Sequence, residues 1–89
     1  MPTISMFYGI LVSMYFMDTK EHKTPHIHVS YQDFDAVYSI LNAELLAGDL
    51  PKNKRRLVEA WIEIHTDALM ADWKLAIEGK ELFRVEPLR

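Results

Sequence analysis

The sequence predicts an α+β fold, in which a small antiparallel sheet of about four to five strands packs on one long C-terminal helix. Two observations carry this prediction. The first half of the chain is rich in Tyr, Phe, Ile and Val, and turn residues interrupt it at regular intervals. The second half carries apolar residues at spacings of three and four, which is typical of one helix face. With 89 residues, the chain 1–89 is expected to form a single domain.

Turn and strand residues define the elements of the first half. Gly9 is expected to form a bulge or the turn before the second strand, and Gln32 and Asp33 a two-residue turn. Pro25 suits the first residue of a strand, because proline cannot donate to a ladder. A polar connection over residues 18–25 precedes it. The predicted strands cover residues 3–8, 10–17, 26–31, 34–41 and, as a short addition, 44–47.

The second half predicts a helix between Pro51 and Gly79. Proline suits the first helical position, and glycine suits the residue just past the end. One helix is favoured because no Gly or Pro interrupts it, and a break near His65, with Thr66 or Asp67 capping a second helix, is the alternative. The apolar stripe comprises Leu57, Val58, Trp61, Ile62, His65, Leu69, Trp73 and Ala76. Residues 82–85 are expected to form a last short strand.

Composition excludes several functional classes. The chain contains no cysteine, which excludes disulfide scaffolds, cysteine-based zinc fingers and thiol catalysis. The apolar run over residues 4–17 is shorter than the roughly 20 residues that span a bilayer. It also lacks the preceding basic stretch of a signal peptide. These features predict a cytoplasmic protein that does not enter membranes.

One basic cluster stands out against the acidic chain. Lys52, Lys54, Arg55 and Arg56 contribute +4, and since the formal net charge is −3, the other residues carry −7. Such a cluster is suited to binding an acidic partner, a phosphate or a nucleic-acid backbone. The alternative is an ordinary solvated helix start.

The segment around the third predicted strand holds most of the chemistry. Side chains alternate along a strand, so His26 and His28 are expected to share the face that points away from the core. Tyr15 of the neighbouring strand is expected on the same face. Asp18 and His22 are expected in the adjacent loop.

Three interpretations of this histidine cluster remain open. His26 and His28 are suited to binding one metal, with Asp18 or His22 as a third ligand. The same pair is suited to acid–base catalysis with Tyr15, as in a metal-free nuclease. The simplest interpretation is that the histidines bind neighbouring groups or pack at a protein interface, together with Tyr15 and His22. His65, on the apolar stripe, is interpreted as a core histidine. In the catalytic interpretation, His65 is an alternative to Tyr15 as the neighbour of the histidine pair.

Five segments together resemble a bacterial family of domains of unknown function, DUF4160. They read ISMFYGILVSMYFMD, PHIHV, ELLAGDLP, LVEAWIEIHTDALMADW and the closing PL. The family pattern usually has Asp-His before a Pro-Pro-His-Phe-His run, whereas here Thr19 follows Asp18 and His22 is displaced. The residues that match the family's histidines and helix tryptophans are His26, His28, His65, Trp61 and Trp73.

The resemblance implies a small bacterial protein that acts through a protein partner. Members of the family tend to be encoded beside another small protein, in pairs that look like toxin–antitoxin operons. The leading expectation is therefore a non-enzymatic interaction module that binds its cognate small protein from the same operon and is also able to form a homodimer. The alternatives are a small ribonuclease-like toxin and a metal-binding regulator. No cofactor is expected, apart from a divalent metal in the last case.

Overall fold

A computed structural model describes residues 3–15 and 24–89, which form a five-stranded antiparallel sheet and two helices. The α+β prediction is confirmed. Strands that follow each other in the chain also pair in the sheet, in the order β1-β2-β3-β4-β5. The strands are β1 (Thr3–Phe7), β2 (Ile10–Ser13), β3 (His26–Tyr31), β4 (Phe34–Ser39) and β5 (Leu45–Gly48), and the helices are α1 (Lys52–Ile64) and α2 (Thr66–Ile77). Asp18, His22 and the predicted strand end at 16–17 lie outside the described residues.

Two glycines shape the hairpins. Tyr8 and Gly9 connect β1 to β2 with φ angles of 50° and 78°, as a two-residue turn with two left-handed positions requires. Gly9 therefore forms the expected turn. Gly48 has a φ of 75°, and a Cβ atom there would collide with the backbone carbonyl of Asp35. Strand β5 is thus able to approach β4 closely because residue 48 has no side chain.

The prediction of one long C-terminal helix is wrong, because the helix breaks at His65. The φ and ψ angles of His65 are −113° and 23°, outside the helical region. The Thr66 hydroxyl donates to the Ile62 carbonyl at 2.8 Å, and back-bonding of this kind bends helices. Asp67 lies in the first turn of α2, where its charge interacts favourably with the helix dipole. The local sequence thus starts a second helix without any Gly or Pro.

The end of α2 follows the sequence prediction, and the segment after it does not. Gly79 has a φ of 72° and donates to the Ala76 carbonyl at 3.1 Å, while Lys80 donates to the Leu75 carbonyl at 2.9 Å. This pair of bonds is a Schellman motif, which requires a left-handed residue after the helix. The expected strand over residues 82–85 is not formed. Instead, a backbone hydrogen bond of 2.8 Å runs from the Val85 N–H to the Ile4 carbonyl of β1.

The core lies between one face of the sheet and the two helices. Alternate residues of the central strands are buried on this inner face, as in the cross-strand row Val12, Val29 and Ala36. The helices contribute their apolar residues, which include Val58, Trp61, Ile62, Leu69 and Trp73. Among the described residues, no helix is long and apolar enough to cross a membrane. The residues between the buried residues of the central strands face the other side of the sheet, which we call the outer face.

Candidate functional site

The outer face of the sheet contains a shallow groove of about 260 Å³. Strand pairing places two rows of side chains along it, because residues directly opposite each other share a face. One row runs across four strands and the other across three. The first row consists of Ser13, His28, Val37 and Ala47, and the second of Leu11, Ser30 and Asp35. The groove therefore combines apolar side chains with hydroxyl, imidazole and carboxylate groups.

Tyr15 and His28 form a stacked pair that lines the groove. Their ring centroids are 4.1 Å apart and their planes differ by 12°. The Tyr15 hydroxyl also lies 3.2 Å from Nδ1 of His28, within hydrogen-bond distance. Strand alternation predicts that these two side chains share the outer face, and the structure brings them together there.

The expectation that His26 faces outward to solvent is wrong. Its side chain is 0% exposed, and its ring lies 5.0 Å from the ring of Trp73 in α2. Nδ1 lies 2.7 Å from the Thr24 carbonyl, and because a carbonyl only accepts, Nδ1 carries the hydrogen and donates it. Alternation does place His26 on the side of His28, with ring centroids 5.3 Å apart. However, alternation does not indicate what covers each end of the face, and here Trp73 packs on the imidazole.

This placement changes what the histidine cluster is able to do. An acid–base residue has to reach the proton that it transfers, and a fully buried imidazole does not reach a substrate in solvent. His28 is the half-buried member of the pair. No three His, Asp or Glu side chains in residues 3–15 and 24–89 are arranged to hold a metal ion. The proposed third ligands Asp18 and His22 lie outside these residues.

His65 lies away from the strand, at the junction of the two helices. It is half-buried rather than fully enclosed, and its ring packs on Trp61 with centroids 5.6 Å apart. Its amide N–H is shared by the carbonyls of Trp61 and Ile62 at 3.0 and 3.2 Å. The structure therefore gives His65 a role in ending α1.

The basic cluster occupies the first turns of α1. Lys54 connects this helix to the hairpins, because its ammonium lies 4.9 Å from the centre of the Tyr31 ring and 3.5 Å from the Tyr8 carbonyl oxygen. The first turn of α1 contains no acidic residue. Within residues 3–15 and 24–89, no ion pair includes Lys52, Lys54, Arg55 or Arg56.

Two buried acidic contacts are missed by the sequence analysis. The hydroxyl of the buried Tyr38 donates to Glu59 at 2.9 Å, and burial, followed by the bond and charge of Glu59, raises the pKa of Tyr38. Asp72 is 1% exposed, accepts the Phe83 N–H at 3.0 Å through Oδ1, and has no partner for Oδ2. Burial raises the pKa of Asp72. Its position three residues after Leu69, on the apolar stripe, is the signal that indicates burial.

The family comparison covers the groove and most of both helices. Residues 9–74 match the family model described as "Domain of unknown function (DUF4160)". The chain belongs to the DUF4160 family. The matched region includes β2 to β5, and thus every strand that lines the groove of this DUF4160 protein. Comparisons with the curated proteins and with the solved structures give no significant match.

Proposed function

We propose that this DUF4160 protein is a protein-interaction module of the bacterial cytoplasm. In this proposal it is one component of a two-gene, toxin–antitoxin-like system, and its outer face binds the small protein encoded beside it. The observation that carries the proposal is the groove on the outer face, whose lining contains no residue of either described helix. The resemblance to a family of paired small proteins supplies the kind of partner.

The composition of the outer face supports this role. Protein interfaces combine an apolar centre with aromatic residues and a polar rim. Leu11, Val37 and Ala47 provide the apolar centre, and the stacked Tyr15 and His28 provide the aromatic part. Next to Leu11, on the neighbouring strand, Met6 leaves 58% of its side chain exposed. A flexible Met side chain is well suited to the rim of such a surface.

The two alternative functions have less support from the geometry. A ribonuclease-like toxin needs two imidazoles within reach of one phosphate, whereas Trp73 packs on the buried ring of His26. A metal-binding regulator needs a third ligand beside His26 and His28, and its candidates Asp18 and His22 lie outside the described residues. Interface packing requires neither condition, so it is the function that we propose.

Blocking the groove tests this function directly. Ala47 lies opposite Val37 in β5, and a Lys side chain there would project into the groove and carry a charge into the interface. We expect Ala47→Lys to weaken binding of the neighbouring gene product at least about tenfold, or about 1.4 kcal/mol. The measurement is isothermal titration calorimetry, together with size-exclusion chromatography and light scattering of the mixture.

The matched control is Ala68→Lys, the same change at an exposed position of α2. We expect this variant to bind like the wild type. The proposal fails if the neighbouring protein does not bind the wild type, or if Ala47→Lys and Ala68→Lys bind equally well.

A further inference from the structure

A second surface lies at the end of the molecule where the hairpins turn toward α1. Lys54 connects the parts of this surface, because its ammonium contacts the Tyr31 ring and the Tyr8 carbonyl. Tyr31 also lies against the β1–β2 turn, where a Cβ atom on Gly9 would be 3.3 Å from its ring. We call this surface the basic end, and it consists of Lys52, Lys54, Arg55 and Arg56 with the aromatic residues Tyr8 and Tyr31.

Among the described residues, the charges of the basic end are arranged unfavourably. A helix N-terminus carries a partial positive charge, and cations there are disfavoured by a few tenths of a kcal/mol each or more. Helix α1 places four cations in its first five residues, with no acidic residue in its first turn to offset them. None of the four has an ion-pair partner in the described part of the chain. Negative charge supplied by a ligand would relieve this repulsion.

Aromatic side chains near Lys54, at the start of α1, indicate which anion fits. Tyr8 lies at the tip of the β1–β2 turn and leaves 57% of its side chain exposed. Phe34, which pairs with Tyr31 across β3 and β4, is also exposed. Proteins that bind single-stranded nucleic acid combine cations that contact the backbone with aromatic rings on which bases stack. An acidic peptide would use the cations and leave the exposed aromatic rings without a role.

We propose that the basic end binds single-stranded nucleic acid. Lys52 and Arg56 are exposed and contact phosphates, and the ring of Tyr8 stacks on a base. Lys54 holds the turn that carries Tyr8 next to α1. The surface is built from the hairpin turns and the start of α1, so its function does not depend on a protein partner in the groove.

The test is fluorescence anisotropy of the full chain with labelled oligouridylate and oligothymidylate of about 20 nucleotides. For single strands, the logarithm of affinity falls with the logarithm of salt concentration with a slope of about −0.7 per phosphate contact. The two phosphate contacts of Lys52 and Arg56 therefore predict about a 7-fold loss of affinity between about 50 and 200 mM salt. The double variant K52A/R56A lacks both contacts, so its remaining affinity is expected to be lower and nearly independent of salt concentration.

Two further variants separate this site from general charge effects. K74A/R84A removes the same charge from exposed positions outside the basic end and is expected to keep the wild-type salt dependence. Y8N removes the ring, while Asn tolerates the left-handed φ of 50°, and is expected to weaken binding at least about fivefold with an unchanged salt slope. Circular dichroism checks that every variant is folded.

Several results would overturn the proposal. One is the absence of binding by the wild type at low salt. Another is an equal loss of affinity in K52A/R56A and K74A/R84A. A third is binding of a labelled polyglutamate peptide in preference to both oligonucleotides, which would assign the basic end to an acidic protein instead.

Discussion

The imidazole of His26 is held on two sides, while that of His28, two residues later, lies at the groove. The Thr24 carbonyl accepts the Nδ1 hydrogen of His26, and Trp73 packs on its ring. His28 is half-buried and stacks on Tyr15. At the scale of single residues, the cluster therefore divides into one residue that supports the fold and one that lines the groove.

Replacing each histidine by alanine is expected to have unequal effects on stability. His26→Ala leaves a cavity beside Trp73 and removes the hydrogen bond to Thr24, so we expect the free energy of unfolding to fall by about 2–4 kcal/mol. His28→Ala is expected to cost about 1 kcal/mol, because its side chain is only half-buried. Urea denaturation of both variants measures the difference. Equal costs would contradict the assignment of His26 to the core.

At the scale of elements, the boundaries that the sequence predicts correctly are mostly those set by turn residues. Tyr8–Gly9 forces a hairpin turn through two left-handed residues, and Gly79 ends α2 through its Schellman motif. The break at His65 matches the alternative of two helices rather than the favoured single helix, and the Thr66 hydroxyl donates back to the Ile62 carbonyl instead of capping α2. The packing of Trp73 on His26 is a tertiary contact, and strand alternation does not predict it.

A Lys→Glu substitution is expected to raise the free energy of unfolding at the start of α1 and to lower it at the end of α2. Lys52→Glu places an acid at the start of α1 and adds an i,i+4 pair with Arg56, so we expect a gain of about 0.5–1 kcal/mol in the free energy of unfolding. Lys74→Glu removes the cation from the last turn of α2 and is expected to cost about 0.5 kcal/mol. Thermal and urea denaturation at low salt measure both effects. A loss of stability in Lys52→Glu would contradict the account of the basic end.

At the scale of the whole molecule, residues 80–89 connect the sheet to both helices. The Phe83 N–H donates to Asp72 in α2, the Val85 N–H to Ile4 in β1, and Nε1 of Trp61 in α1 donates to the Glu86 carbonyl at 2.8 Å. These three bonds attach the segment to the sheet and to both helices, although it does not form a strand. Asp72 is the one acidic anchor of the three, and its second oxygen is buried without a partner in the described residues.

The pKa shift of Asp72 predicts how stability depends on pH. Because burial raises its pKa above the usual 3.8, the folded state favours the neutral carboxyl, and its ionisation destabilises the fold as pH rises. Asp72→Asn removes that cost and keeps an acceptor for Phe83. We therefore expect a gain in the free energy of unfolding at neutral pH that disappears below the usual pKa.

Urea denaturation at several pH values measures this gain as the difference between variant and wild type. The control is Asp67→Asn, at an exposed position in the first turn of α2, which is expected to cost a few tenths of a kcal/mol near neutral pH. A gain for Asp72→Asn that does not change with pH would contradict the assignment of the buried charge.

The candidate site was predictable in its residue types and less so in its arrangement. Strand alternation placed Tyr15 and His28 on one face, and the charge count singled out the cluster at the start of α1. The groove depends on register across four strands, and the basic end depends on the contact of Lys54 with two hairpin turns. Both are tertiary features that neighbouring residues in the sequence do not specify.

The most direct measurement for the proposed interaction is an NMR titration of the labelled chain with the protein encoded beside it. The account predicts that the largest shifts fall on the groove, at Leu11, His28, Val37 and Ala47, and that exposed residues of α2 such as Ala68 do not move. Shifts confined to the helices, with the groove residues unchanged at saturation, would contradict it.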